Sequence, residues 1–167
     1  MATSFADAEQ VLSRLDTETA LFPENDKDFS TMNCFVYFGA AWCPDCTSTS
    51  QKVGELMKTN LLNQANFSAS TPPTLLYVSS DRTEEQLTSY SATLKESMAK
   101  ALTPQTGFAS KPLFRILKND DDKTAFKYAF GACAGSEKAS LEGIVRNYGL
   151  PSLFHVVGGK VVAELMN

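Results

Sequence analysis

The chain has 167 residues, of which 43% are apolar and 20% charged, and its formal net charge is -4. This length can bury a sizeable core but is short for two ordinary domains, so we predict a single domain over residues 1–167. The composition excludes a disordered tail or a membrane protein, and the charge balance provides no basic surface for nucleic acid or anionic lipid. Proteins or small molecules are therefore the expected partners.

The N-terminal residues 1–10 lack the basic start and apolar core of a signal peptide. The longest apolar stretch, residues 34–42, is about half of the roughly 20 residues that a membrane-spanning helix needs. We therefore expect a soluble, cytoplasmic monomer without membrane contacts. Four cysteines in such a chain indicate redox or metal chemistry rather than a structural disulfide framework.

Alternation of strands and helices is predicted over the first hundred residues. Apolar residues at helical spacing predict an amphipathic helix near residues 5–15. Residues 34–39 form an apolar run typical of a buried strand, and a helix is expected from the cysteines that follow to about Leu62. A second buried strand over 74–78 and a helix capped at Thr83 complete a βαβα order.

The remaining sequence predicts an insertion, a helix and a hairpin. Residues 103–135 have weak periodicity and are predicted to be an insertion, with a solvated turn at the acidic residues 120–122. Ser136 is placed to cap a third core helix that ends near Gly149 and whose apolar stripe contains Leu141, Ile144, Val145 and Tyr148. Strands over 153–157 and 160–165, joined by a two-glycine turn, predict a closing hairpin.

Chemistry is concentrated in the segment Trp42-Cys43-Pro44-Asp45-Cys46, at the predicted strand-to-helix junction. Two thiols with two residues between them can close a reversible disulfide or bind a metal. A closed structural metal site needs four ligands, and the candidates that would complete it stand alone in the sequence. These candidates are Cys34, Cys133 and His155. Redox chemistry is therefore favoured, with no metal and no cofactor other than a Cys43–Cys46 disulfide.

The positions of the residues suggest their roles. Cys43 faces the unpaired N–H groups of a helix start, which favour a thiolate, so it is the predicted nucleophile. Cys46 lies one turn further along and can resolve a mixed disulfide. Pro44 suits the first helical turn because it needs no N–H partner there. Asp45 opposes a neighbouring thiolate, which weakens the reduced state and predicts a reductase rather than an oxidant.

The segment Trp42–Cys46 resembles the active site of the thioredoxin superfamily, and Tyr37–Pro44 is most similar to the tryparedoxin and nucleoredoxin branch of that superfamily. The pentapeptide Trp-Cys-Pro-Asp-Cys is also similar to that of a small cytosolic thioredoxin-related protein. Val78–Asp81 and Tyr148–Leu153 resemble two further segments of the branch. The resemblance implies a thioredoxin-like α/β fold, with a central mixed sheet flanked by helices. It also implies thiol-disulfide oxidoreductase activity, with reduction of protein disulfides as the expected reaction.

The same resemblance assigns further residues to the site. Pro151 is expected to be cis and to face the thiols, and the backbone of Leu150 is expected to pair with a substrate strand. Tyr37 occupies the position at which thioredoxin has a buried aspartate, so proton transfer to Cys46 needs another group. Asp81 is the candidate for this transfer, with water as the alternative. Trp42 is expected to cover the active site.

Partners and alternatives complete the expectations. The substrates would be disulfide-containing proteins, and the reductant would be of the thioredoxin reductase, glutathione or trypanothione type. A redox-inactive thioredoxin-fold binding module, a metal-binding cysteine pair and a peroxidase-like use of Cys43 stay open as alternatives. Cys133, in a glycine-flanked segment, is a candidate regulatory thiol. Cys34 is expected to be an inert buried thiol, and His155 to be a structural or surface residue.

Overall fold

The computed structural model describes residues 33–63, 73–103, 112–117, 120–157 and 160–166. The helix predicted near residues 5–15 and the turn predicted at residues 158–159 lie outside these ranges. The elements in chain order are β1 (Asn33–Gly39), α1 (Pro44–Thr49), α2 (Lys52–Leu62), β2 (Thr74–Ser79), α3 (Glu84–Ala101), β3 (Leu113–Ile116), α4 (Asp120–Phe130), β4 (Ser152–Val157) and β5 (Lys160–Met166).

The five strands form one mixed sheet in the order β3-β2-β1-β4-β5. Strands β1, β2 and β3 are parallel, whereas β4 is antiparallel to β1 and β5 is antiparallel to β4. The central strand β1 is buried on both faces, which explains its continuous apolar sequence. A mixed sheet with helices confirms the predicted α/β class, and β4 and β5 confirm the predicted hairpin strands.

Each face of the sheet packs against its own helices. On one face, Phe126 and Phe130 of α4 pack in a cluster with Phe38 and Phe154, and the ring centroids of Phe130 and Phe154 are 4.9 Å apart. On the opposite face, α2 and α3 cover a second apolar cluster that includes three buried tyrosines.

Within the described ranges, no helix has the length and apolarity needed to cross a membrane.

The predicted insertion over residues 103–135 is wrong for the part that the structure describes. Strand β3 pairs in parallel with β2, and α4 supplies the core helix of its face. The acidic residues predicted to form a solvated turn instead form the first turn of α4, where negative charge is favourable near the helix N-terminus. The apolar periodicity of this segment is weak for two reasons. Strand β3 is half-exposed at the edge of the sheet, and helix α4 buries Asp122 and Lys127 among its apolar residues.

The predicted third core helix after Ser136 is also wrong, because only one 3₁₀ turn, Gly135–Glu137, forms there. Gly143 has a φ of 76°, which interrupts a right-handed helix. The amides of Asn147 and Tyr148 both bond to the carbonyl of Gly131, at 2.8 and 2.9 Å, instead of to preceding turns. Val145, assigned to the apolar stripe, is 57% exposed.

The helix predicted to run from the cysteines to Leu62 is interrupted between α1 and α2. Hydroxyl groups in this segment bond back to backbone carbonyls, including Ser50 Oγ to Thr47 O at 3.1 Å. Such bonds compete with the regular helical pattern. Ser97 Oγ from α3 also donates to the carbonyl of Gln51 at 3.0 Å. By contrast, the cap predicted at Thr83 is confirmed, since its side chain accepts the Gln86 amide at 3.1 Å.

Candidate active site

The two cysteines lie where β1 gives way to α1. Cys43 is the N-cap residue of α1, and its Sγ accepts a hydrogen bond from the Cys46 amide at 3.3 Å. Pro44 begins the helix, where a missing N–H costs nothing, and Asp45 lies exposed in the first turn. The backbone therefore holds the first sulfur against the start of the helix and places the second cysteine one turn further along.

The two thiols differ in accessibility. Cys43 is 7% exposed, whereas Cys46 has no exposed surface, and both are unpaired cysteines in this structure. Burial raises the pKa of Cys46 well above its ordinary value, and its hydrogen bond with the Cys43 side chain raises it further. Burial and the raised pKa of Cys46 favour its protonated form, and Cys43 is the more accessible of the two residues.

Leu150 and Pro151 approach the pair from the other end of the chain. The Leu150–Pro151 peptide bond is cis, as the resemblance predicts. The carbonyl oxygen of Leu150 lies 4.0 Å from Cys43 Sγ. Strand β4 runs antiparallel to β1, so its first residues meet the end of β1 from which Cys43 follows. The sheet therefore brings Leu150 to the nucleophile candidate.

Two tyrosine hydroxyl groups lie beneath Cys46. Tyr90 from α3 donates to the carbonyl of Cys46 at 3.0 Å, and its hydroxyl is 2.7 Å from that of Tyr37. A hydrogen bond from Tyr37 favours the thiolate form of Cys46 and so partly opposes the burial that raises its pKa. Tyr90 lies in the helix predicted after Thr83, but nothing in the sequence connects its hydroxyl with Cys46.

Asp81 accepts hydrogen bonds through both of its carboxylate oxygens. Its Oδ1 accepts the Ala41 amide at 2.6 Å, and its Oδ2 accepts the hydroxyls of Tyr77 at 2.6 Å and Ser79 at 2.7 Å. Through these hydrogen bonds, Asp81 connects the turn after β1 with the C-terminal end of β2. The expectation that Asp81 exchanges a proton with Cys46 stays a prediction, whereas the side chains of Cys43 and Tyr37 both interact with the Cys46 thiol.

Trp42 is fixed on two sides. Its indole N–H donates to the carbonyl of Ser80 at 2.8 Å, and the guanidinium carbon of Arg82 lies 4.1 Å from its ring centroid. Parallel pairing of β1 and β2 puts the residues after both strands at the same edge of the sheet, which explains this contact. The half-buried indole is therefore anchored beside Cys43, as expected for a residue that covers the site.

Glu137 joins Ser80 to the irregular segment that replaces the predicted third helix. Its Oε1 accepts Ser80 Oγ at 2.6 Å and the Ala134 amide at 2.9 Å, and its Oε2 pairs with Lys127 Nζ at 2.6 Å. Burial alone would raise the pKa of Glu137, but Lys127 and these donors stabilise the carboxylate and hold the pKa below its ordinary value. Glu137 was missed because it was placed in a regular helix.

The three residues that could have completed a metal site lie apart. His155 stacks on Phe35, with ring centroids 4.3 Å apart, whereas Cys34 packs in the cluster on the opposite face of the sheet. Cys133 is fully buried in a third cluster with Leu141 and Ile144. Across the described parts of the chain, no group of three or more His, Cys, Asp or Glu residues is arranged to hold a metal ion.

Burial also limits the reactivity of the lone thiols. Burial raises the pKa of Cys34 to about 12. It also raises the pKa of Cys133, whose backbone amide and carbonyl are held by Tyr148 and Arg146. The prediction that Cys133 moves to the active site as a regulatory thiol gains no support from this environment.

No protein-family profile and no curated protein sequence matches the chain. Among solved structures, the chain is similar to tryparedoxin from Trypanosoma brucei, with 15% identity, a TM-score of 0.45, and coverage of 80% of this chain and 67% of that one. It is similar to a thioredoxin from Wuchereria bancrofti, with 16% identity, a TM-score of 0.42, and coverage of 85% and 74%. It is also similar to tryparedoxin II from C. fasciculata, with 13% identity, a TM-score of 0.49, and coverage of 95% and 83%.

The connection of the elements can be judged from the structure itself. Strand β1 leads into the cysteine pair and α1, β2 returns parallel to β1, and an antiparallel hairpin of β4 and β5 closes the sheet. This arrangement is the thioredoxin-like α/β fold that the sequence resemblance predicts.

Proposed function

We propose that the protein is a thiol-disulfide oxidoreductase that reduces disulfides in other proteins. The observation that carries the proposal is the asymmetric pair of thiols: Cys43 is partly exposed at the start of α1, and Cys46 is buried directly behind it. Metal binding would require further ligands around this pair, and Cys34, Cys133 and His155 lie elsewhere.

In the first step, the Cys43 thiolate attacks one sulfur of the substrate disulfide. A mixed disulfide forms, and the second substrate sulfur leaves as a thiolate that takes up a proton. In the second step, the Cys46 thiolate attacks Cys43 Sγ, which releases the reduced substrate and leaves a Cys43–Cys46 disulfide. Two electrons pass from the protein to the substrate, and an upstream thiol reductant must restore the dithiol.

Resolution requires Cys46 to lose its proton, although burial raises its pKa. Tyr37 and Tyr90 can support the resulting thiolate, because their hydroxyl groups are linked at 2.7 Å and both interact with Cys46. When the thiolate forms, Tyr37 donates to its sulfur, and Tyr90 can turn its proton from the Cys46 carbonyl to Tyr37. The buried charge would then keep hydrogen-bond donors without water entering the core.

The Leu150 backbone beside Cys43 suits an extended polypeptide substrate. The Leu150 carbonyl, which lies 4.0 Å from the reactive sulfur in a half-buried residue, can accept a backbone N–H from a strand that carries the disulfide. We therefore propose disulfide-containing proteins as substrates, with a reductant of the thioredoxin reductase, glutathione or trypanothione type, no added cofactor, and a cytoplasmic location.

Reduction of insulin disulfides, with dithiothreitol as the electron donor, tests the proposal. The wild-type chain should accelerate the reaction, Cys43→Ser and Cys46→Ser should each abolish the acceleration, and Cys34→Ser should retain it. A wild-type rate equal to the dithiothreitol background would reject the oxidoreductase and favour the binding-module alternative. A peroxidase-like use of Cys43 would be favoured if the protein consumed peroxide with dithiothreitol but left insulin intact.

A further inference from the structure

Arg82 places a positive charge at the edge of the active site. Its guanidinium carbon lies 4.1 Å from the ring centroid of Trp42, and Trp42 directly precedes Cys43. The indole is itself anchored by its bond to the Ser80 carbonyl. Arg82 remains exposed although it stacks on this ring. An arginine held on an aromatic face is pre-organised to bind a carboxylate with its free N–H groups.

No acidic side chain within the described ranges forms an ion pair with Arg82. The neighbouring Asp81 is already engaged, since both of its oxygens accept hydrogen bonds within the turn. Glu84 and Glu85, which follow in the first turn of α3, are exposed and lie where the helix start favours negative charge. The Arg82 guanidinium is thus available to an incoming carboxylate.

We propose that Arg82 binds an Asp or Glu side chain of the polypeptide substrate beside the disulfide that Cys43 attacks. The inference rests on the proposed function and adds a preference among substrates. Asp45 is exposed in the first turn of α1 and follows Cys43 in the sequence, whereas Arg82 stacks on Trp42, which precedes Cys43. A substrate that presents its acidic residue on the Trp42 side satisfies Arg82 and avoids repulsion from Asp45.

Peptides that differ in one residue test this preference. Each peptide contains one intramolecular disulfide, with Glu, Gln or Lys next to one of its cysteines, and is made in two versions that place this residue before or after that cysteine. In one of the two versions, the wild-type kcat/KM should be about two- to five-fold higher for the Glu peptide than for the Gln peptide, which is the difference expected from an exposed ion pair. The Lys peptide should have a lower kcat/KM than the Gln peptide. Raising the ionic strength should bring the three rates together.

Variants show whether Arg82 is the cause. Arg82→Gln should remove the difference between the Glu and Gln peptides, and Arg82→Glu should reverse the order so that Lys is preferred. Lys95→Ala removes another exposed positive charge from the middle of α3 and should leave the preference unchanged. Retention of the Glu preference in Arg82→Gln, or its equal loss in Lys95→Ala, would overturn the inference.

Two further outcomes separate this inference from the proposed function. Equal wild-type turnover of all the peptides would refute the role of Arg82 and leave the oxidoreductase intact, whereas no turnover of any peptide would refute both. If Arg82→Gln slowed only the reduction of glutathione disulfide, whose glutamyl carboxylates offer the same chemistry, Arg82 would recognise a small thiol and the polypeptide preference would be wrong.

Discussion

Glu137→Gln tests the connection between the irregular segment and the active site. The Lys127 side chain is 9% exposed and that of Glu137 is 24% exposed, so the substitution leaves a nearly buried ammonium group without its carboxylate. Breaking a fully buried pair in this way costs about 3–5 kcal/mol. Because a quarter of Glu137 is exposed, we expect a loss of about 2–3 kcal/mol in the free energy of unfolding.

Lys127→Met is the matched variant. The Glu137 carboxylate keeps Ser80 Oγ and the Ala134 amide as donors when the ammonium group is removed. We therefore expect a smaller loss, of about 1–2 kcal/mol, for one charge-assisted hydrogen bond. The double variant contains neither charge, so its loss should be less than the sum of the two single losses, with a coupling of about 1–2 kcal/mol.

Urea unfolding measures these differences, with circular dichroism for the whole fold and fluorescence for the site. Trp42 is the only tryptophan in the chain, and its indole partner Ser80 is bonded to Glu137. Its native emission should therefore shift in Glu137→Gln. Losses below about 0.5 kcal/mol in both single variants, or purely additive effects, would refute the reasoning.

The stability that the Glu137 carboxylate contributes should decrease at low pH. Lys127, Ser80 and the Ala134 amide lower the pKa of Glu137 in the folded protein despite its burial. The stability contributed by the carboxylate is therefore complete above its unfolded-state pKa and is lost as pH falls through the lower folded value. Wild type should lose this contribution on acidification, and Glu137→Gln should lack it at every pH.

Three further predictions concern other parts of the fold. Iodoacetamide should modify Cys43 before Cys46, because Cys43 is 7% exposed, Cys46 has no exposed surface, and burial raises the pKa of Cys46. Faster labelling of Cys46 would reverse their roles. Gly54→Ala should lower the free energy of unfolding by about 1–3 kcal/mol, because the Cβ of the alanine would lie 2.2 Å from the Ser97 carbonyl oxygen. An unchanged urea midpoint would show that α2 and α3 can separate without a loss of stability. NMR titration should find His155 neutral until about pH 4, because burial lowers its pKa to about 4. The free energy of unfolding should therefore fall as pH drops from about 6.5, the ordinary histidine pKa, toward that value. Titration of His155 near pH 6.5 would contradict its burial.

The sequence predicted best the elements whose signals are local. Continuous apolar runs identified β1 and β2, Thr83 marked the start of α3, and the cysteine spacing located the strand-to-helix junction. These features depend on residues close together in the chain. Apolar periodicity and capping patterns are sufficient to recognise them.

The errors occurred where distant contacts decide the conformation. The stripe that predicted a helix after Ser136 is overridden by Glu137, whose carboxylate is bonded to Ser80 and Lys127. The helix α4 was missed because Lys127 is buried in it, and its pairing with Glu137, which lies beyond the helix, compensates that burial. Likewise, the link from Tyr90 to Tyr37 and Cys46 joins α3 to β1 and α1, which no local pattern reveals.

Capture of substrates by Cys46→Ser tests the central claim most directly. If Cys43 attacks protein disulfides and Cys46 resolves the product, the variant should accumulate high-mass adducts in a cell extract that disappear on reduction, with Cys43 as the attachment site by mass spectrometry. Cys43→Ser should form none, and Cys34→Ser should behave like wild type. Equal adducts in Cys46→Ser and Cys43→Ser, or a Cys46→Ser protein that carries only glutathione, would contradict the account.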